Sequence, residues 1–386
     1  MEIFLTGATG LVGGEVLVKL SKKSEVNKIF CLIRAASVED GRNRLQHIFA
    51  LHNDEFDETK IIPVIGDLFD DGLTTQLKQS PLLNNVTTII HSAANTSFAK
   101  VKDDLVEKAN IGGLTKILLW AKQLNSLNTF MYVGTATICG KDVKHRLVTE
   151  DESPNNNATH LVKYTYTKLR GEQLLKEHLP EDKILVVRPS IIMGDSRGIE
   201  PRSPVILWAL ATMNKLRLVP ANPYASLDMV PVDFVADVMT QLLFVKRNYR
   251  VYHISAGNDA CTSALQLAKV FDHHFDDLLP HQFVGKEMLN PLKLWAKGKL
   301  PSNHELFEHQ DYLDYIEESF EDVTNLRILF AGLDPYIEFA ELGQRFDNSR
   351  IIEDLGITPS LPGHVYIHKC LKYIERINLL EGAIDP

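Results

Sequence analysis

The sequence predicts a doubly wound α/β fold, a parallel sheet covered by helices on both faces, followed by a smaller, mainly helical lobe. Two observations carry this expectation. Short, continuously apolar runs recur through the first half, separated by segments of helical spacing. A glycine-rich turn follows the first of these runs, at the N-terminus of the sequence. A strand buried on both faces has no polar side to alternate with, so continuous apolar runs between helices indicate a parallel sheet.

Taken in order, residues 3–5 read as a strand entering the glycine turn, and residues 11–20 as a helix. A strand follows at 29–33, a helix at Val38–Leu51 and a strand at Ile61–Ile65. Residues 87–91 read as the next strand, and 103–124 as one long helical stretch. Thr129–Val133 and 184–187 are further strands, and a late strand at 251–255 returns to the sheet. Pro154 and the asparagines up to Asn157 mark a polar loop, and prolines at 201–204 and 220–223 break the rhythm after Arg188. The expected division is a dinucleotide-binding domain over 1–255, with an excursion near 195–230 to the substrate side. A mainly helical lobe over 256–386 follows, with a short return to the core near 346–358.

The chain has 386 residues, 45% of them hydrophobic and 24% charged, enough for a large core without disulfides or a structural metal. The net charge of -9 with scattered Lys and Arg argues against nucleic acid and against an anionic membrane surface. No apolar run is long enough to span a bilayer, and no charged leader precedes the first strand. The four cysteines are far apart, which points to reduced thiols. A cytoplasmic protein is the expectation.

The segment TGATGLVG, residues 6–13, sits between the first strand and the first helix. Gly7 permits a tight turn, Gly10 lets the backbone approach a pyrophosphate, and Gly13 lets helix and strand pack closely. Gly7, Thr9, Gly10, Leu11, Val12 and Gly13 are therefore expected to form a Rossmann-type dinucleotide cradle, with the positive helix N-terminus facing the phosphates. A lone glycine pattern is weak; the strand before it and the helix and strand after it give it meaning. The second strand ends at Arg34, where an acid would bind the ribose hydroxyls of NAD and an arginine accommodates the 2′-phosphate of NADP. Arg44, on the following helix, is a second candidate for that phosphate. Asp67 and Leu68 end the third strand, where a carboxylate accepts from the adenine amino group. Ala93 and Ala94 follow the fourth, small enough for a cofactor to lie against the backbone. His91 reads as a packed strand-end histidine.

Tyr164 and Lys168 stand four residues apart in a segment of helical pattern, on one face. A lysine beside a phenol is expected to lower its pKa and let it exchange a proton with a substrate oxygen. Thr135, after the strand ending at Val133, is the expected second hydroxyl donor. Thr137 is the structural alternative, bonding local backbone.

In sequence order, TGATGLVG, GDL, HSAA, TATICG, YTYTK and VVRPSIIMGD resemble the extended short-chain dehydrogenase/reductases. CLIRAASVEDGRNRL, GDSRG at 194–198 and MVPVDFVAD at 229–237 resemble the branch holding thioester reductases and fatty acyl-CoA reductases. The resemblance implies NADPH as cofactor and Thr135, Tyr164 and Lys168 as the catalytic set. It implies that Arg34 and Arg44 hold the 2′-phosphate, that Lys168 bonds the nicotinamide ribose, and that Pro189, Ser190 and Ile191 flank the nicotinamide. The implied reaction reduces an acyl thioester, on coenzyme A or a carrier protein, to an aldehyde or onward to an alcohol. Gly134 and Cys139 depart from the family's usual serine and aromatic. FDNSR at 346–350 resembles the closing strand of such domains. A stand-alone reductase and a reductase domain of a larger enzyme both fit.

Two other readings are carried: a sugar-nucleotide epimerase, dehydratase or ketone reductase of the same superfamily, and a non-catalytic NADP-binding regulator. Arg34 weighs against the first, and the intact Tyr164–Lys168 pair against the second. No metal is expected. Neighbouring His273 and His274 point apart on a helix, and Trp208, Trp295 and Phe307 read as core.

Overall fold

The computed structural model describes residues 1–152, 157–200, 207–320, 323–358 and 360–384. Pro154 and its two following asparagines, and the prolines at 201–204, lie outside the described residues.

Among the described residues, seven parallel strands form one sheet. They are β1 (Glu2–Thr6), β2 (Lys28–Ile33), β3 (Ile61–Ile65), β4 (Thr88–His91), β5 (Thr129–Val133), β6 (Ile184–Pro189) and β7 (Val251–Ile254). Their spatial order is β7-β6-β5-β4-β1-β2-β3. Thr6 at the end of β1 lies opposite Leu32 on one side and His91 on the other. The order reverses between β1 and β4, and the connections leaving those carboxyl ends diverge to opposite faces. That crevice is where open α/β sheets bind ligands.

Alternation along each strand supplies two cores. Ile3 and Leu5 of β1, Cys31 of β2 and Met131 of β5 join one apolar cluster with the helices Leu11–Ser21 and Val232–Leu242. Their neighbours Phe4, Phe30 and Phe130 join a second cluster on the opposite face with Leu118 and Trp120. Successive side chains point to opposite faces, so continuous apolar sequence is what a doubly covered sheet requires.

Helix starts differ in a way that bears on function. Helix Val38–Leu51 is capped by Ser37, whose hydroxyl accepts the Asp40 N–H at 3.1 Å, with Glu39 and Asp40 in its first turn. Helix Leu11–Ser21 begins at Gly10 with no capping side chain and no acid in its first turn. An anion placed there meets no competing negative group.

Two expectations need correction. The stretch 103–124 is not one helix: Asp103–Glu107 and Leu114–Ala121 are separated by a π-helical turn over Lys108–Gly113. Gly112 and Gly113 weaken helix propensity there, and Asn110 turns its amide into the interior, where its bonds lie outside the helix. FDNSR does not close the main sheet. Arg345–Phe346 instead pairs with Leu147–Val148 as an isolated two-stranded ribbon. It is tied to the sheet by Asp228, whose carboxylate accepts the N–H groups of Ala256 at 2.8 Å and Phe346 at 3.0 Å.

Beyond β6, helix Trp208–Leu216 packs with helices Leu289–Trp295, Gln310–Ser319 and Val323–Ala340 around a third apolar cluster. Trp208 is fully buried in it and donates its indole N–H to the Leu379 carbonyl at 2.8 Å. Trp295 and Phe307 pack against the same cluster.

Candidate active site

The glycine loop closes against the end of β4. Gly7 has φ +74°, and a Cβ there would lie 2.7 Å from the Ala93 nitrogen. A Cβ at Gly13 would lie 2.1 Å from the Gly7 carbonyl oxygen. Neither position admits a side chain, so the backbone from Gly7 to Gly13, which includes Thr9, Leu11 and Val12, forms a concave cradle at a helix N-terminus; the Val12 side chain packs against the first apolar cluster. The residues present fit a dinucleotide pyrophosphate. The Thr6 hydroxyl fastens the opposite wall, accepting the Ala93 N–H at 3.2 Å and lying 3.0 Å from His91 Nδ1. Ala94 follows, half-buried. Burial, and secondarily the Lys168 charge, hold His91 down at about 3. It is a neutral ring packed parallel to Tyr132 at 6.2 Å.

Arg34 is exposed immediately beyond β2, and the Arg44 guanidinium donates to the Arg34 carbonyl. The two arginines thus stand at one rim. The Asp67 carboxylate accepts the Phe69 N–H at 3.0 Å, shaping the turn after β3, and Lys116 donates to the Leu68 carbonyl at 3.0 Å. At the end of β6, the Pro189 carbonyl accepts the Ala136 N–H at 2.8 Å, and Ser190 and Ile191 donate to Ile254 and Asp228 at 3.0 Å each. Every cofactor candidate of the sequence therefore lies along the carboxyl edge of the sheet.

Tyr164 and Lys168 lie on helix Lys163–His178, which runs past the end of β5. Lys168 Nζ donates to the Val133 carbonyl at 2.7 Å and sits 5.7 Å from the Tyr164 ring centre. Thr135 hydrogen-bonds Tyr164 and lies 3.0 Å from the Thr137 hydroxyl. Thr137 is thus part of a hydroxyl chain, not a residue bonded only to local backbone.

The expected lowering of the phenol by the lysine is reversed. Desolvation raises Tyr164 well above its ordinary value, opposed only by the Thr135 hydrogen bond. Lys168 is itself buried, which pushes it down to about 7 against the pull of Glu172. Its ammonium is aimed at the Val133 carbonyl, not at the phenol. Burial therefore favours the neutral phenol at Tyr164 and brings Lys168 down toward neutrality. The protonated fraction of Lys168 falls as pH rises through about 7. Because kcat/KM reports the free enzyme, it is expected to decline on an alkaline limb centred near that pH. A flat profile from pH 6 to 9 would show that the Lys168 charge is not needed.

Three contacts lay beyond sequence reasoning. Asn110 donates to the Asn95 carbonyl and to Thr167 Oγ1, both at 2.9 Å, and accepts the Asn95 N–H at 2.7 Å. Thr167 in turn donates to the Tyr164 carbonyl at 2.7 Å, so the π-helical turn fastens the helix that carries Tyr164 and Lys168. An asparagine ahead of two glycines inside a helical pattern was the available signal. Glu172 and Arg188 form a buried two-pronged pair at 2.7 and 2.8 Å. It also accounts for Gly134, where a Cβ would lie 3.2 Å from Glu172 Oε1. Finally, the Phe98 ring stands between Tyr164 at 6.2 Å and Tyr336 at 5.0 Å, beside a cavity of about 1090 Å³ between the two lobes.

Asp272, beside His273 and His274, is engaged by Arg217 at 3.1 Å and His281 at 2.6 Å. No group of three metal-ligating side chains occurs among the described residues, and no helix of theirs is long and apolar enough to cross a membrane.

Comparison with known proteins agrees with this geometry. Human fatty acyl-CoA reductase 1 is 25% identical over 300 residues, covering 67% of this chain. The chain spans 58% of that relative's length. A linear gramicidin synthase chain of Brevibacillus parabrevis is 27% identical over 71% of this chain and 5% of its own. Among solved structures, the terminal R domain of the myxalamid PKS-NRPS pathway superposes with a TM-score of 0.69 at 20% identity, covering 97% of this chain and 90% of its own. UDP-glucuronic acid 4-epimerase from Bacillus cereus, in complex with NAD, gives 0.64 at 17% identity, covering 97% and 99%. These two share the fold. The family described as male sterility protein, a family of NAD-binding domains, matches residues 5–239, from the glycine cradle through the Tyr164–Lys168 helix, and the chain belongs to it.

Proposed function

We propose that this chain reduces an acyl thioester to the aldehyde with NADPH. The observation that carries the reading is the meeting of a neutral Tyr164, Thr135 and Lys168 beside the dinucleotide cradle, with the Phe98 ring, 6.2 Å from that of Tyr164, lining an inter-lobe cavity. Similarity to fatty acyl-CoA reductases and to linear gramicidin synthase supports the substrate class.

The cradle from Gly7 to Gly13 would hold the pyrophosphate, Arg34 and Arg44 the 2′-phosphate, and Asp67 with Leu68 the adenine side. Ala93 and Ala94 leave room along the backbone, Lys168 would hold the ribose, and Pro189, Ser190 and Ile191 would flank the nicotinamide. When bound, the nicotinamide supplies a hydride. Tyr164 and Thr135 donate hydrogen bonds to the carbonyl oxygen as negative charge develops on it, where preorganised donors contribute most. Tyr164, held neutral by desolvation, gives its proton to that oxygen. Lys168 in its charged form, with Nζ 5.7 Å from the Tyr164 ring centre, stabilises the resulting phenolate. The hemithioacetal then collapses: its C–S bond breaks, the phenolate takes back the hydroxyl proton, and the sulfur leaves as a thiolate that solvent protonates to the free thiol.

Arg34→Asp is expected to lower the ratio of kcat/KM for NADPH over NADH by roughly 100-fold, as loss of a charge-assisted bond of about 2–3 kcal/mol would do. An unchanged ratio would remove Arg34 from the phosphate site. The reaction itself is tested by following NADPH consumption and thiol release with acyl thioesters, aldehydes and sugar nucleotides. Consumption with release of free thiol supports the reading. Activity confined to sugar nucleotides would place the chain with the epimerase-like readings instead.

A further inference from the structure

We infer that Arg197 is a positioning residue for the dinucleotide: it neutralises the Glu15 carboxylate, buried on the helix whose N-terminus forms the cradle, and without it that helix would repel the pyrophosphate it faces. The inference rests on the dinucleotide cradle and not on the thioester substrate. Arg197 belongs to GDSRG, residues 194–198, a motif to which the reaction above gives no task.

Helix Leu11–Ser21 carries one acid, Glu15, which lies one turn in from the cradle, about 6 Å along the axis from Leu11. Its side chain is 2% exposed. A carboxylate there opposes the positive end of the helix dipole, and its burial leaves that opposition poorly screened. Two groups meet it. His52, which caps the C-terminal end of helix Val38–Leu51, brings Nε2 to 3.2 Å of one oxygen and is charged only if protonated. Arg197 brings Nη2 to 2.8 Å of the other. Burial works against the Arg197 charge, but the Asp195 hydrogen bond and the two carboxylates outweigh it and hold the guanidinium above its ordinary value. A guanidinium keeps its charge across the working pH range, so Arg197 is the constant counter-ion of Glu15.

The motif places this arginine. Gly194 and Gly198 have φ +70° and +79°, conformations that favour glycine and turn the chain at both ends of the loop. Asp195 grips the guanidinium from its own loop, with Oδ1 at 3.0 Å from Nε and Oδ2 at 2.6 Å from Nη2. The Ser196 N–H donates to Asp233 of helix Val232–Leu242 at 2.9 Å. From the other side, Lys369 donates to the Ser196 carbonyl at 2.7 Å and Tyr373 to the Gly198 carbonyl at 3.1 Å. Arg197 is thus held between two carboxylates, Asp195 and Glu15. If the guanidinium were removed, Asp195 would keep the backbone N–H of residue 197, which it accepts at 2.8 Å. Glu15 would lose its constant counter-ion.

The test is the dissociation constant for NADPH and for NADH, read by cofactor fluorescence without substrate. Arg197→Gln is expected to raise both by about tenfold, the size of a partly buried charge acting on a helix end. Their ratio should stay unchanged, in contrast to Arg34→Asp. Arg197→Lys, which keeps the charge and loses the fork, is expected to stay within about threefold of the unmodified chain. The double variant Glu15→Gln with Arg197→Gln is expected to return both constants to within about twofold, because the repelling charge is gone. If Arg197→Gln does not fold, the double variant decides alone: it must fold and bind at that level. A double variant as weak as Arg197→Gln would overturn the inference, since Arg197 would then be a strut between loop and helix. So would a changed NADPH to NADH ratio, which would put Arg197 at the 2′-phosphate. If the unmodified chain binds neither nucleotide, the cradle reading fails and the inference falls with it. Failure to reduce thioesters would remove the substrate reading alone, because both constants are measured without substrate.

Discussion

Tyr164→Phe is expected to lower kcat by about 10³-fold while changing the dissociation constant for NADPH by less than about twofold. The substitution removes one oxygen, and that oxygen has two tasks: it donates to the developing oxyanion and supplies the proton. Loss of an oxyanion donor alone costs about 10²–10³, and loss of a positioned acid about 10²–10⁴. The two are not additive, because one group performs both. The ring remains, still packed near Phe98 at 6.2 Å, so the helix and the cofactor edge keep their places. Thr135 keeps its contact with Thr137 at 3.0 Å. Because the interaction is made only in the transition state, kcat and kcat/KM should fall together, with KM nearly unchanged. Thr135→Val should cost less, near 10², since the proton source survives. Retention of a tenth or more of wild-type turnover by Tyr164→Phe would move the proton donor elsewhere, and the nearest hydroxyl to test would be Thr135.

The parts of this site that could be read from sequence are those set by local rules. The glycine cradle is visible because Gly7 must adopt a positive φ and Gly13 must touch a carbonyl, and both constraints act within seven residues. Tyr164 and Lys168 are visible because helical spacing puts them on one face. The sheet is visible because Phe4 and its neighbours Ile3 and Leu5 are all apolar, which only a strand covered on both sides needs. What escaped is set by contacts distant along the chain. Phe98 meets Tyr336 across the lobes, Glu172 meets Arg188 across a strand, and Asn110 leaves its helix to bond Asn95 and Thr167. The direction of the Tyr164 shift escaped for the same reason. Spacing gives proximity to a lysine, but only burial decides whether that lysine carries its charge and where it points.

Glu172→Leu joins the stability of the fold to the chemistry of the site, and it carries the largest stability effect expected here. The Glu172 and Arg188 side chains are only 9% and 6% exposed, so removing the acid leaves a guanidinium buried without its partner. Breaking a buried pair in this way costs about 3–5 kcal/mol, to be read from urea unfolding. The double variant Glu172→Leu with Arg188→Met should recover most of that loss, since an apolar pair of similar volume removes the unpaired charge. A second readout separates a strut from a tuning group. Glu172 is the group that raises Lys168 against its burial, so without it Lys168 should lose its proton at lower pH. In the double variant, folded but lacking the carboxylate, the alkaline limb of kcat/KM should therefore move below about 7. If the limb stays in place while stability is restored, Glu172 serves the packing of β6 against the helix Lys163–His178 alone, and the Lys168 charge is set by the Val133 carbonyl and by burial.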